Sequence, residues 1–569
     1  MKLRRAWDEK AWPRILAAFL INALFLALML TAFAPMWETN DDLLMSKFVD
    51  GQLSHKTAYV PYIHIFLGAL LKGLYTVFGD SFNWYSACQY LVLLLGFTAV
   101  TWSLLRRFRL LPALVMTAVI LGAFGTDCYL SMNFSKAGGV GTVGGMCLLL
   151  TVMERAEKPR ALPVILGVAI ALTGVLWRWE EFAICAVLPA AVCLRDLIGT
   201  LQESGGLAAK EKLARLWRYL RPFAALALLA AVLFGVFQYA WNRPEIAAYK
   251  HFDDTRSVLI DFEIPEYREI PEVYDELGMD ENFVFMMKKW SFYDTERFTQ
   301  QAIDRLIEAR DKLVRHKSLG ECLGVFLTEC LAGFPQDRPF AGFGFLLALW
   351  LACGRRRGRD WTALVYMSAV FLGFYLLFIY NQRYLANRID HGLFLSMAVV
   401  LSFLMDREKL EGEHWTLLSV LALSLFVTWR ANRPYCLLDS HNTVADRSFE
   451  KAAVETLLAD EQHHYFVKVW AIEHNLYTPL ETPPEGYAEK LVMIGGWSMH
   501  HPVIEELMAR WNVENPWHDL VNRQDIYLID HDIGRSLAFL RRWYYPEAEA
   551  ELIEPLSTET GLMIYRITG

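Results

Sequence analysis

The chain has 569 residues, of which 54% are hydrophobic and 21% charged, with a formal net charge of −8. Globular domains run nearer 45–50% apolar and about 25% charged, and the excess here lies in runs of roughly 16–22 residues, long enough to cross a bilayer core. That excludes a soluble cytosolic enzyme, a disordered chain and a disulfide scaffold, and no charge cluster resembles a nucleic-acid-binding surface.

Lys2, Arg4, Arg5, Lys10 and Arg14 precede an apolar run from Ile15 to Pro35. The run is too long for a signal-peptide core and reads as a retained span, with the basic flank predicting a cytoplasmic N-terminus. Further spans are expected to begin near Trp84, Leu110, Ala137, Ala161, Phe182, Pro222, Phe340, Trp361, Gly392 and Trp415. Alternate turns are basic: Arg106, Arg107 and Arg109; Arg155, Lys158 and Arg160; Arg195 through Arg221; Arg355, Arg356, Arg357 and Arg359; Arg407 and Lys409. That bias places them inside and the intervening turns outside. Two apolar stretches break the alternation if counted as spans. Pro61–Phe78, with His64 and Lys72, and Leu319–Phe334, with Glu321 and Glu329, are therefore read as helices at the outer membrane surface.

The fold class predicted is a polytopic α-helical membrane protein of about eleven spans. It has a membrane domain over 1–431, a first external loop over 37–83 and a larger external loop over 242–338. In that larger loop, Glu245–Trp290 carries twelve Asp or Glu against five Lys or Arg, and helical spacing runs from a possible N-cap at Thr295 to Lys317. Residues 432–569 read as an extracytoplasmic α/β domain. Strand-like runs (Tyr465–Ile472, Lys490–Gly495, Asp525–Ile529, Leu562–Ile567) alternate there with helical ones (Pro502–Trp511, Gly534–Trp543). Trp84, Trp177, Trp179, Trp241 and Trp361 fall at span ends and read as an interfacial belt.

Glu38-Thr39-Asn40-Asp41-Asp42, directly after the first span, is the strongest chemical signal. One of two adjacent carboxylates can enter a cavity while the other hydrogen-bonds or holds a metal. Lys136, Arg178, Arg383 and Arg388 sit in external turns, where basic residues are otherwise scarce. They are candidates for phosphate contact, with lipid-headgroup contact or pairing to Glu180, Glu181 or Asp390 as the plainer role. Asp253-Asp254, with Arg256 and Asp261, is a second acidic cluster able to hold Mg²⁺ or Mn²⁺, though such pairs are more often solvated; Asp127 is a weaker candidate of the same kind. His463-His464 and His500-His501 lack ligand partners at useful spacing. Gly138–Gly145, GGVGTVGG, marks a broken or tightly packed helix.

The order Asp41-Asp42, Gly51, Pro61-Tyr62, Phe78-Gly79, then a span from Trp84 to Arg106-Arg107, resembles the GT-C glycosyltransferase superfamily, which includes protein O-mannosyltransferases and aminoarabinose transferases. Arg383-Tyr384-Leu385 resembles that superfamily's Arg-Tyr-Leu element before a late span, although the prolines that follow it there are replaced by ANRIDHG, and the Lys-Pro-Pro-Leu before the surface helix is absent. The resemblance implies an integral-membrane enzyme that moves a sugar from a polyprenyl-phosphate donor to an extracytoplasmic glycan, lipid or protein acceptor. It implies Asp41 or Asp42 as base or metal ligand and favours Arg383 at the donor phosphate, where Arg178, Lys136 and Arg388 are candidates by their place in the external turns; Asp42, Asp253 and Asp254 are the candidate ligands of a divalent cation by the chemistry of paired carboxylates. The setting implied is a bacterial plasma membrane, with membrane lipids as partners. A transporter, a polymerase or a non-catalytic assembly protein for surface polysaccharide is the alternative; transporters usually place polar groups near the bilayer midplane.

Overall fold

The computed structural model describes residues 12–154, 160–204, 206, 208–260, 264–291, 293–334, 338–383, 387–437, 448–554, 556–557 and 561–569. Its first half is a bundle built on α1 (Trp12–Ala32), α4 (Trp84–Arg107), α5 (Leu110–Leu130), α6 (Phe134–Met153), α7 (Ala161–Trp177), α8 (Trp179–Glu203) and α9 (Ala209–Trp241). Between α1 and α4 lie β1 (Met36–Trp37), α2 (Asn40–Asp50) and α3 (Ile65–Phe78); β2 (Ser131–Met132) follows α5. The 242–338 loop carries α10 (Pro244–Ile260), α11 (Glu281–Lys288) and α12 (Gln300–Leu313), and the bundle resumes with α13 (Arg338–Cys353), α14 (Gly358–Tyr380), α15 (Asn387–Leu404) and α16 (His414–Asn432). Seven of these helices are long and apolar enough to cross a membrane. The others at expected span positions, α7, α13, α15 and α16, pack among them.

The basic turns gather at one end. Arg107 and Arg195 both reach Glu154 and the Phe403 carbonyl, Arg109 pairs with Glu411 at 3.0 Å, and Arg359 approaches Glu203 at 3.6 Å. The other end of α4, at Tyr85, meets Asp42. The two sets of turns thus sort to opposite ends, as the charge alternation predicts.

α6 is the central helix and is buried along its whole length. Its glycines explain this. A Cβ on Gly144 would stand 2.5 Å from Gly96 Cα of α4, and one on Gly145 would overlap the backbone of Ala171 on α7. The glycine run is therefore an unbroken, closely packed helix. α3 is a surface helix: Phe66, Leu70, Val77 and Phe78 are more than half exposed, while Leu67, Leu71 and Tyr75 pack inward. Its helical part begins at Ile65, where His64 caps it by accepting from Phe66 N–H at 3.1 Å. Leu319–Phe334 is likewise a short helix with a π-helical turn at Phe326–Cys330.

The tail contains α17 (Ser448–Ala459), β3 (His464–Val467), β4 (Leu491–Met493), α18 (Pro502–Arg510), α19 (Pro516–Asn522), β5 (Ile526–Ile529), α20 (Ile533–Trp543), β6 (Glu549–Leu552) and β7 (Ile564–Thr568). The sheet order is β4-β3-β5-β7-β6, with β4, β3 and β5 parallel and β7 and β6 antiparallel additions. β6 is absent from the sequence reading because EAEL is short and its apolar face consists of Ala550 and Leu552 alone.

The tail packs on the 242–338 loop. Tyr249 donates to the Trp497 carbonyl at 3.1 Å, and Tyr544 donates to Asp294 at 2.8 Å. This docking also corrects one helix boundary. α12 starts at Gln300 with Thr299 as N-cap, five residues after Thr295, because Asp294 binds the Glu296 and Arg297 amides and Thr295 donates to the Glu514 carbonyl. Two expected belt tryptophans are instead core residues: Trp177 is buried edge-on against Tyr85, and Trp241 is buried among Tyr59 and Tyr249.

Candidate active site

The chain leaves α1 and pairs β1 in parallel with β2. Asn475 from the tail clamps the same stretch, accepting from Trp37 N–H at 2.7 Å and donating to its carbonyl at 3.0 Å. This fixes the start of α2, whose first turn carries Asp41 and Asp42. Successive helical residues point about 100° apart, and the two carboxylates separate accordingly.

Asp42 enters the bundle and is fully buried. Its Oδ1 accepts from Gln89 Nε2 at 2.6 Å, Tyr85 Oη at 2.9 Å and Phe134 N–H at 3.0 Å, while Oδ2 has no partner among the described residues. Burial pushes its pKa up from the usual 3.8 to about 7 against those donors. Asp41 turns the other way. Its Oδ1 accepts from the Trp497 indole N–H at 2.8 Å, its Oδ2 accepts from Thr39 Oγ1 at 3.2 Å, and Arg388 Nη1 lies 3.8 Å from Oδ2.

Asp41 faces a cavity of about 470 Å³. Arg178, Arg383 and Arg388 line it, as do Asp253 and Asp254 from α10. Arg178 sits where α7 gives way to α8; it donates to Ser135 Oγ at 2.7 Å and its guanidinium lies 5.1 Å from the Phe134 ring centre. Tyr62, at φ +70°, stacks on Phe134 and meets Trp497 edge-on, so aromatic faces form one wall.

Other sequence candidates are placed elsewhere. Lys136 is not among the residues lining the cavity: its ammonium is buried at 2.8 Å from Asp127, 3.3 Å from Glu38 and 3.1 Å from the Ser131 carbonyl. Glu38, half-buried beside it, has its pKa pushed upward by desolvation. Asp253 pairs with Arg256 at 2.5 Å and Asp254 with Lys250. Asp42 is committed to three donors within the bundle. The acids considered as metal ligands therefore do not converge, and among the described residues no group of three or more His, Cys, Asp or Glu is arranged to hold a metal ion. His463 pairs with Asp460, His464 packs on Trp511, His500 meets Glu505, and buried His501 contacts the Tyr59 carbonyl. Asp261, Tyr384 and Leu385 lie outside the described residues.

Sequence reasoning missed Trp497 and Arg256. Trp497 follows Gly495 (φ +146°) and Gly496 (φ +80°). A Cβ on Gly495 would strike the Trp290 carbonyl, which accepts from Gly496 N–H at 3.0 Å. The Gly-Gly pair thus lets the tail approach the external loop and present Trp497 to Asp41. The doublet alone signalled a turn, and its partner lies about 200 residues away. Arg256 was noted only beside Asp253; it lines the cavity, is buried, and has Nε and Nη1 without partners among the described residues.

No protein-family model and no curated protein sequence matches the chain. A solved structure of ArnT from Cupriavidus metallidurans bound to undecaprenyl phosphate aligns over 97% of this chain and 97% of that chain, at 12% identity and a TM-score of 0.39. Fold and cavity together define a polytopic helical membrane protein with a polar, arginine-lined cavity beside its 242–338 loop and tail.

Proposed function

We propose that the chain is a membrane glycosyltransferase of the GT-C type, using a sugar carried on a polyprenyl phosphate, with its cavity and tail on the extracytoplasmic side. The observation supporting this most directly is the convergence of one exposed-edge carboxylate, Asp41, with Arg178, Arg383 and Arg388 around a single cavity. The reaction needs these two kinds of group. An acceptor hydroxyl attacks the anomeric carbon and its proton passes to the Asp41 carboxylate. The anomeric carbon–oxygen bond to phosphate breaks, and the polyprenyl phosphate leaves with the electron pair. Guanidinium groups receive its charge through charge-assisted, bidentate hydrogen bonds.

Asp42 is assigned a positioning role, because its hydrogen bonds tie α2 to α4 and to the start of α6.

The test compares the wild type and Asp41→Asn in cells and in vesicles carrying polyprenyl-phosphate sugars. Asp41→Asn is expected to abolish transfer while the protein remains at normal abundance in the membrane. Full transfer by that variant would discard the assignment of the base. Solute flux without transfer would favour the transporter reading, which the unbroken α6 and the outer position of the acids speak against.

A further inference from the structure

β3 ends at Val467, and the chain leaves it through a turn closed by Ala471 N–H donating to the Lys468 carbonyl at 2.9 Å. Trp470 is the third residue of that turn and has φ +66°. Turns with this geometry ordinarily carry glycine there, and a bulky side chain held in it is strained. Packing does not offset the strain. Val469 and Ala471 turn inward, whereas Trp470 is 52% exposed.

Three hollows meet at this indole. One of about 300 Å³ is bounded by Lys289, Ser291, Asp530 and Asp532. A second, of about 260 Å³, is bounded by Glu450, Glu473 and His531. The third is a narrow cleft reaching Asn40 and Leu43 on α2, the helix that carries Asp41. Lys468 and Asp530 directly follow β3 and β5, so the hollows lie at the carboxyl ends of parallel strands, where open α/β sheets receive ligands. The floor is fixed: Lys468 Nζ is 3.2 Å from Ser536 Oγ, which donates to Asp530 at 2.6 Å. The His531 and Asp532 side chains make no hydrogen bond among the described residues.

We propose that this groove binds a neutral oligosaccharide, seating a pyranose ring on Trp470. A sugar offers an apolar C–H face to an indole and hydroxyls to the surrounding carboxylates, imidazole and amine. Charge around the groove is mixed, with Asp530, Asp532, Glu450 and Glu473 set against Lys289, Lys468 and Arg535, so no highly charged ligand of either sign matches it. An apolar helix would leave those carboxylates without water. The groove is distinct from the Asp41 cavity, and its ligand binding stands apart from the transfer chemistry.

The test uses the full-length protein in nanodiscs on an array of neutral pyranose oligosaccharides, comparing wild type, Trp470→Gly, Trp470→Phe and Asp41→Asn. Glycine suits the left-handed backbone, so Trp470→Gly is expected to melt at or above the wild-type temperature while losing about tenfold or more in binding. Trp470→Phe keeps a ring face and is expected to bind more weakly than wild type but above Trp470→Gly. Asp41→Asn is expected to bind like the wild type, separating this site from catalysis. Absence of wild-type binding to every arrayed glycan, or undiminished binding by Trp470→Gly, would overturn the proposal.

Discussion

The indole nitrogen of Trp497 donates to Asp41 Oδ1 at 2.8 Å, joining the tail to the 37–83 loop across 456 positions of sequence. A hydrogen bond to a charged group is worth about 1.5–3 kcal/mol, or roughly 10- to 100-fold in rate when it positions a base. Trp497→Phe, which keeps the aromatic wall, is expected to lower kcat by that factor while leaving the melting temperature nearly unchanged. Single-turnover transfer and thermal melting measure the two effects separately.

Asp42 sets a pH dependence of stability. Its folded-state pKa is raised to about 7, above its ordinary 3.8, by burial. Between these values the folded state holds a proton that the unfolded state has lost, so this contribution is full below about pH 4 and lost as pH rises through 7. Asp42→Asn is expected to keep the three hydrogen bonds on its remaining oxygen and to flatten the stability curve between pH 4 and 7. Melting of the detergent-solubilised protein across that range reads the outcome; an unchanged slope would refute this role.

The cations around the first loop divide into two kinds. Arg178→Lys and Arg388→Lys lose bidentate geometry, and each is expected to raise the KM for the lipid-linked donor about tenfold with acceptor KM unaltered. Lys136→Met instead strands Asp127 and Glu38, and breaking a buried ion pair costs about 3–5 kcal/mol. Its signature is a lower melting temperature and reduced abundance in the membrane.

Helix packing in the bundle makes its own test. Gly144→Ala forces a Cβ against the Gly96 backbone and is expected to destabilise by about 1–3 kcal/mol. Gly235→Ala, on α9 with open space around it, is expected to be neutral or slightly stabilising. Equal melting of the two variants would show that the α4–α6 contact is not close-packed.

The bundle was largely legible because hydropathy and alternating charge are local signals. Each expected span is a helix, and Arg107, Arg195 and Arg109 meet at one end. The main strands of the tail were legible for the same reason. Asp41, Arg178, Arg383 and Arg388 could be picked out as polar residues at the outer membrane edge, but which of them share a cavity depends on contacts between distant segments. The separation of Asp41 from Asp42 is set by helix phase, and that of Lys136 from the arginines by its pairing with Asp127 and Glu38, which the sequence offers only as separate acidic candidates. Trp497 illustrates the limit: its role exists only once Gly495 lies against Trp290.

That late docking bears on biosynthesis. A ribosome that has threaded every bundle helix into the membrane has not yet released the segment that braces the carboxylate of α2. Until residues 475 and 497 have seated, the cavity lacks both its clamp on Trp37 and its indole support for Asp41. A half-made chain would thus carry Arg178, Arg383 and Arg388 of the cavity without a braced carboxylate to face them.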